Sequence, residues 1–405
     1  MDTLSQKAGA RNALRVAVVT ETYPPEINGV ARTVGLMVEG LCERGHDVQL
    51  VRPRQRKERS PSNDGPDERL VPGLPIPFYR HLQMGFAPPR LFHGEWTNWR
   101  PDLVHVVTEG PLGWAAVGAA RHLGIPICSD FHTNFHSYSR HYGMGVFSGI
   151  VSHYLRVLHN RTDCTLVPTA EMQSNLEALA FERVRVVGRG VDSWLFNPAR
   201  RSGRLRATWG CRGSETVALY VGRLAPEKNL RVFVEGALAM RAIETNLRVV
   251  LVGDGPQSAE LRARYPDFVF AGIRTGGDLA EHYASADVFL FPSTTETFGN
   301  VTLEAMASGL AVVAYDYAAA RQYLRHEVSA LLAPLDDGAA FVGMAERLAK
   351  DRDLVSRLRS EARRTAEGVS WKRAVDDLER VLRSIIGTNR ADLGEVREDS
   401  VRVET

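Results

Sequence analysis

The chain has 405 residues, 44% of them hydrophobic and 24% charged, which is more than one ordinary domain and enough apolar material for real cores. A formal net charge of +2 argues against bulk nucleic-acid binding, and four scattered cysteines (Cys42, Cys128, Cys164, Cys211) with no Cys-x-x-Cys pair argue against a disulfide framework or a cysteine zinc site. No apolar run approaches the roughly 18 residues of a membrane span; the chain is expected in the reducing cytoplasm, at most peripheral on the inner face of the cell membrane.

Lys7 and Arg11 precede a short apolar run, 14–19, which reads as a buried strand and not as a signal peptide. A helix over 34–44, stopped by Gly45, and a strand at 48–51 complete an opening βαβ unit. Residues 52–73, rich in Arg, Pro, Ser and Asp, read as a mobile insertion with no core of its own. Segments 103–107, 125–128 and 164–167 continue a parallel sheet. Polar, Pro and Gly residues from 192 to 213 mark a boundary, giving an N-terminal domain at 1–192 and a C-terminal domain at 193–370. Strands at 217–221, 248–252, 268–270, 288–291 and 311–314 repeat the alternation. An amphipathic helix at 371–387 and a charged, disordered tail at 388–405 close the chain.

Two elements of the second half carry chemistry. Strand 217–221 runs into Gly222-Arg223-Leu-Ala-Pro-Glu-Lys228-Asn229, placing a guanidinium and an ammonium at a strand end, where α/β sheets hold their ligands. A planar fork and a point charge there can stabilise a leaving diphosphate without a metal. Glu296-Thr-Phe-Gly-Asn-Val-Thr-Leu-Glu304 then sets two carboxylates around a Phe298-Gly299 turn that opens a helix. Asn300 is expected to cap that helix, with Glu304 about one turn inside it. The amides of Phe298, Gly299 and Asn300 would offer a diphosphate the positive helix end. Glu296 would accept from sugar hydroxyls and Glu304 would hold a ribose diol. Taken alone, the glutamates also fit a capped surface helix, and Arg223 and Lys228 a solvated loop.

With these motifs go Gly29 in Pro-Pro-Glu-Ile-Asn-Gly-Val and the segment Arg189-Gly-Val-Asp192. The joint pattern resembles the retaining glycosyltransferases of family 4, from about residue 14 to 386, with Arg189 where that family usually has Asn. The resemblance implies the α/β GT-B fold, two doubly wound Rossmann-like domains facing across a cleft, with helix 371–387 crossing back to the first. His132, in Ser129-Asp-Phe-His132, would face the donor sugar as a catalytic residue with Arg223, Lys228 and Glu296. Donor binding falls to Gly29, Arg223, Lys228, Ile273, Glu296, Phe298, Gly299, Asn300 and Glu304, and acceptor binding to Asn134, Tyr138 and Arg140. Gly29 would let backbone approach the phosphates, and Ile273 would meet the base through its backbone.

Segment 130–143 looks like bacterial GDP-mannose-dependent α-mannosyltransferases. The expected reaction moves a hexose, mannose from GDP-mannose, to a lipid or glycan acceptor. A UDP-sugar enzyme acting on diacylglycerol is the alternative, and a nucleotide-sugar epimerase the alternative from another class. No metal or other cofactor is expected. His132, His136 and His141 lack the glutamate a metallohydrolase would use as base, and Asp351-Arg-Asp353 sits in a charged helix surface, not at a strand end. Gly253-Asp-Gly255-Pro256 reads as a tight strand-to-helix turn, not a dinucleotide site. Phe147, Ile150, Val151, Tyr154, Leu155 and Leu158 recur at helical spacing beside His153, Arg156, His159 and Arg161. That stripe is either core or an interfacial helix meeting anionic lipid, to which the basic run 52–57 would add.

Overall fold

The computed structural model describes residues 13–26, 28–55, 65–76, 79–132 and 147–402. They form two compact units. One takes the described residues up to His132, then Gly149–Gly188, and the chain from Trp371 onward; the other is Arg189–Ser370.

The first unit is built on β1 (Arg15–Val19), β2 (Asp47–Pro53), β3 (Asp67–Val71), a small hairpin of β4 (Gly73–Ile76) and β5 (Tyr79–Gly85), then β6 (Leu103–Val106), β7 (Ile127–Asp130), β8 (Cys164–Val167) and β9 (Val184–Val186). Seven of these make one parallel sheet in the order β3-β2-β1-β6-β7-β8-β9. Side chains alternate across a strand, so β1 feeds two cores: Val16 and Val18 join one cluster, Ala17 and Val19 the other. The first cluster is closed by the helices Gly29–Glu43 and Trp371–Arg402, through Val34, Met37 and Val38 on one and Val375, Leu378 and Leu382 on the other. Arg44 ties the same two helices, 2.7 Å from Asp376 and 3.0 Å from Glu379.

Three expectations change here. Residues 52–73 are not all insertion: β3 pairs with β2 along the sheet edge, and buried Arg52 meets Glu68 at 2.6 Å. Arg52 is thereby withdrawn from the basic run 52–57, because a buried guanidinium needs its carboxylate; residues 56 and 57 lie outside the described residues. The opening helix starts at Gly29, five residues earlier than its apolar spacing suggests, because Asn28 caps it by accepting from Ala31 N at 2.7 Å. The last helix runs to Arg402, so 388–402 continues the helix and is not a disordered tail; the stretch is rich in good helix formers.

The second unit carries β10 (Val217–Val221), β11 (Arg248–Val252), β12 (Val269–Gly272), β13 (Val288–Phe291), β14 (Ala311–Tyr315) and β15 (Leu331–Ala333), parallel in the order β12-β11-β10-β13-β14-β15. The last strand escaped the sequence reading, being three residues long. Each central strand is a continuous apolar run because helices cover both faces. Tyr220, Phe289 and Phe291 stack in the middle of that core. Burying each such ring contributes about 1.5–3 kcal/mol. In both sheets the strand order reverses once, at β1/β6 and at β10/β13. Beyond the carboxyl ends of strands at such a reversal, neighbouring loops diverge and leave room for a ligand.

Candidate active site

In the second unit the reversal point gathers the residues expected to hold a diphosphate. Arg223 leaves β10 and lies 3.2 Å from Glu227. A short turn, Pro226–Lys228, and a left-handed Asn229 (φ 53°) then present Lys228, whose Nζ is 2.5 Å from Glu296 Oε1 beyond β13. The carboxylate and the two loops around it are held by further hydrogen bonds. Ser293 Oγ donates to Glu296 Oε1 at 2.7 Å, Tyr317 OH donates to the Glu296 carbonyl at 2.7 Å, and Thr295 Oγ1 donates to the Glu227 carbonyl at 2.9 Å. Below the loop, buried Tyr220 donates to the Arg223 carbonyl at 3.0 Å. Burial, with Glu296 and Glu227 nearby, holds that phenol well above its usual range, so it stays a donor. The Gly253–Pro256 turn props the loop from beneath: a Cβ at Gly253 would sit 2.0 Å from the Gly222 carbonyl.

The helix Asn300–Ala307 follows at once. Its N-cap is Gly299, in left-handed geometry (φ 92°), and Asn300 is the first helical residue. The expectation that Asn300 caps the helix is therefore corrected: a left-handed cap favours glycine, and Gly299 also lets Glu296 pack close, its ideal Cβ position being 3.4 Å from Glu296 Cγ. Phe298 is buried edge-on to Tyr323, so only its backbone is left to face a ligand. Glu304 is buried one turn into the helix, and Ile273 is exposed just beyond β12.

In the first unit His132 follows β7, and charge surrounds it. Asp130 Oδ1 accepts from His105 Nε2 at 2.8 Å, while Oδ2 lies 3.4 Å from His132 Nε2. The His132 amide donates to Glu109 Oε1 at 3.2 Å, and Glu109 is 3.8 Å from His159. Burial opposes charge on Asp130, but His105 and His132 outweigh it and hold the carboxyl far below its usual range. Glu109 is lowered likewise, burial being outweighed by His159 and His132. Glu21, two residues past β1, goes the other way. Burial raises it to about 7, against the Leu112 amide and the Thr108 hydroxyl, with Glu109 adding to the rise. Gly29 is the first residue of its helix. Asn134, Tyr138 and Arg140, with His136 and His141, lie outside the described residues.

Sequence reasoning missed His105, Glu109, Asp130 and Glu21. A signal existed: Glu21, Glu109 and Asp130 each stand at or just past the carboxyl end of β1, β6 or β7, the place where buried carboxylates have work to do. Asp351 resolves otherwise. It caps the helix Arg352–Glu367, its Oδ1 accepting from Leu354 N at 2.8 Å.

The chain is similar to known proteins along most of its length. Residues 27–194 match the family model described as Glycosyltransferase Family 4, and residues 215–351 match Glycosyl transferases group 1. A GDP-mannose-dependent alpha-mannosyltransferase of Mycolicibacterium smegmatis is 36% identical over 90% of this chain and 96% of its own length. An alpha-monoglucosyldiacylglycerol synthase of Streptococcus pneumoniae is 25% identical over 75% of this chain and 71% of its own. Among solved structures, sucrose-phosphate synthase of Thermosynechococcus elongatus superposes with a TM-score of 0.75 at 18% identity, covering 93% of this chain and all of the other, a likeness of fold alone. The two Rossmann-like units are those of the GT-B fold, and the chain belongs to glycosyltransferase family 4.

Proposed function

We propose that this protein transfers mannose from GDP-mannose to a lipid or glycan acceptor, retaining the anomeric configuration and requiring no metal. The observation that carries the reading is the Lys228–Glu296 pair at the mouth of the helix Asn300–Ala307. A donor diphosphate seated at that helix end draws Lys228 and Arg223 to its oxygens. Glu296, released by Lys228, accepts from hydroxyls of the sugar, and Glu304 takes the ribose diol. Phosphate charge grows as the glycosidic bond breaks, so these contacts strengthen in the transition state. Two cations and the helix end do the work a metal does elsewhere, and Asp351 serves as a cap.

His132, with Asp130 beside its ring and Glu109 on its amide, is assigned to steadying the sugar as positive charge develops. The acceptor hydroxyl attacks the anomeric carbon from the side the diphosphate leaves. The carbon–oxygen bond to phosphate breaks, the new one forms, and the leaving phosphate takes the hydroxyl proton.

A relative 36% identical and named for GDP-mannose supports that donor. A UDP-sugar enzyme acting on diacylglycerol remains the second reading, supported in its acceptor by the relative named a monoglucosyldiacylglycerol synthase; base recognition through main-chain groups near Ile273 would favour neither base. Apolar groups on the helix Phe147–His159 favour a lipid acceptor: Ile150 is 63% exposed, and Val151 and Tyr154 are exposed beside His153. Leu155 and Leu158 are core, so the stripe divides between two faces. Among the described residues no helix is long and apolar enough to cross a membrane. Incubating the enzyme with a panel of GDP- and UDP-sugars, with and without membrane lipid extract, tests all of this. Lipid-dependent turnover of GDP-mannose into an α-linked product is expected. Donor isomerised without acceptor, or a β-linked product, would overturn the reading.

A further inference from the structure

The second unit has a hollow of about 470 Å³ at the amino ends of its central strands, lined by Thr216, Asp287 and Gly309, which precede β10, β13 and β14, and by one face of the helix Arg352–Glu367. The donor loops leave the opposite ends of the same strands, so this is a separate place.

Its charge leans positive: Arg352, Arg359 and Arg363 line it against Asp287 and Glu244, with Arg352 lying 3.5 Å from Glu244. Asp287 receives Arg201 at 2.8 Å, Arg206 at 3.1 Å and Arg359 at 3.3 Å, so three guanidinium groups share one carboxylate. Burial disfavours the charged form of Arg359, Asp287 favours it, and Arg201 and Arg206 oppose it again. Arg359 and Arg363 spend Nε and Nη1 on Asp287, Glu367 and backbone carbonyls, while their Nη2 groups donate to nothing among the described residues. Arg352, Ser356, Arg359, Ser360 and Arg363 recur at helical spacing along the lining face, so guanidinium donors alternate with hydroxyls on one wall.

We propose that this hollow binds a phosphate dianion, free or as the phosphate of a small ester. A dianion matches the surplus around Asp287. Its several acceptor oxygens suit forked guanidinium donors, and the Ser356 hydroxyl can fill a remaining direction, the Ser360 hydroxyl donating to the Ser356 carbonyl at 3.2 Å. The volume leaves room for an organic group beyond the phosphate. The proposal does not rest on the glycosyl-transfer reading.

Calorimetric titration of the full chain at low ionic strength, with inorganic phosphate and with glucose 6-phosphate as probes, tests it. Binding at the hollow is expected to persist in Lys228→Ala, which removes only phosphate held at the donor loops. Ser356→Glu, which puts a carboxylate on the lining face, should weaken binding at least tenfold. Should that variant misfold, Arg352→Ala, whose side chain is 69% exposed, should still weaken it several-fold. Tighter binding of glucose 6-phosphate supports an ester as the natural ligand, and equal binding supports free phosphate. No saturable binding to wild type, or binding that survives Ser356→Glu but is lost in Lys228→Ala, would overturn the proposal.

Discussion

Lys228 Nζ lies 2.5 Å from Glu296 Oε1, a pairing between residues 68 positions apart that brings the loop after β10 against the loop after β13. The ammonium that would meet the diphosphate and the carboxylate that would meet the sugar thus neutralise each other, and both are preorganised by Ser293, Tyr317 and the Pro226–Lys228 turn.

Removing the ammonium should be costly for catalysis. A contact to developing phosphate charge contributes about 2–4 kcal/mol, so Lys228→Ala should lower kcat roughly 10²-fold or more. Arg223→Ala should fall in the same range. Steady-state rates decide the matter, and a Lys228→Ala enzyme with near-normal kcat would sink the clamp.

Turnover should persist in excess EDTA, because Arg223, Lys228 and the helix Asn300–Ala307 supply the positive charge. Loss of activity on chelation, restored by Mn²⁺ or Mg²⁺, would show that a metal shares the diphosphate.

Asp130 should act through His132. Asp130→Asn keeps the shape but removes the charge held between His105 and His132, and kcat is expected to drop about tenfold with KM nearly unchanged. Thermal melts run alongside will register the cost of disturbing a buried pair. Unaltered kcat in Asp130→Asn, set against a large loss in His132→Ala, would leave Asp130 with a structural role only.

Glu21 makes stability depend on pH. Its folded value, about 7, lies above the ordinary 4.5, so the native state holds this proton more tightly than the unfolded chain does. Its contribution is fully present below the unfolded value and is lost as pH rises through the folded one, by at most about 1.4 kcal/mol per pH unit between them. Glu21→Gln still offers an oxygen to Leu112 N and has no proton to lose. Its melting temperature should gain on wild type as pH goes from 4.5 to 7.5; a constant difference would contradict the assignment.

Membrane contact is best probed at Ile150. Arg161 is unsuitable for charge reversal, since its guanidinium lies 5.0 Å over the Trp114 ring. Ile150→Glu should reduce co-sedimentation with anionic vesicles several-fold while leaving the melting temperature intact. Wild type that ignores such vesicles at low salt would point to a soluble or glycan acceptor.

Most of the fold was legible because parallel strands covered on both faces must be continuous apolar runs. Segments such as 217–221 and 288–291 therefore announce themselves. The edge elements did not. β3 mixes charge into its sequence and β15 spans only Leu331–Ala333, since an edge strand has less apolar surface to bury. Arg223, Lys228, Glu296 and Glu304 were readable as a motif because each follows a recognisable strand or turn at short spacing.

What the sequence by itself determined was the set of chemical groups at each strand end: a fork, an ammonium, two glutamates around a glycine turn, and a histidine after β7. Only the tertiary structure decided their partners. That Lys228 meets Glu296, that His105 meets Asp130, and that three arginines crowd Asp287 are contacts across many residues of chain. Strand order sets them, and strand order is fixed by which apolar faces pack together, a choice that no local pattern of residues records.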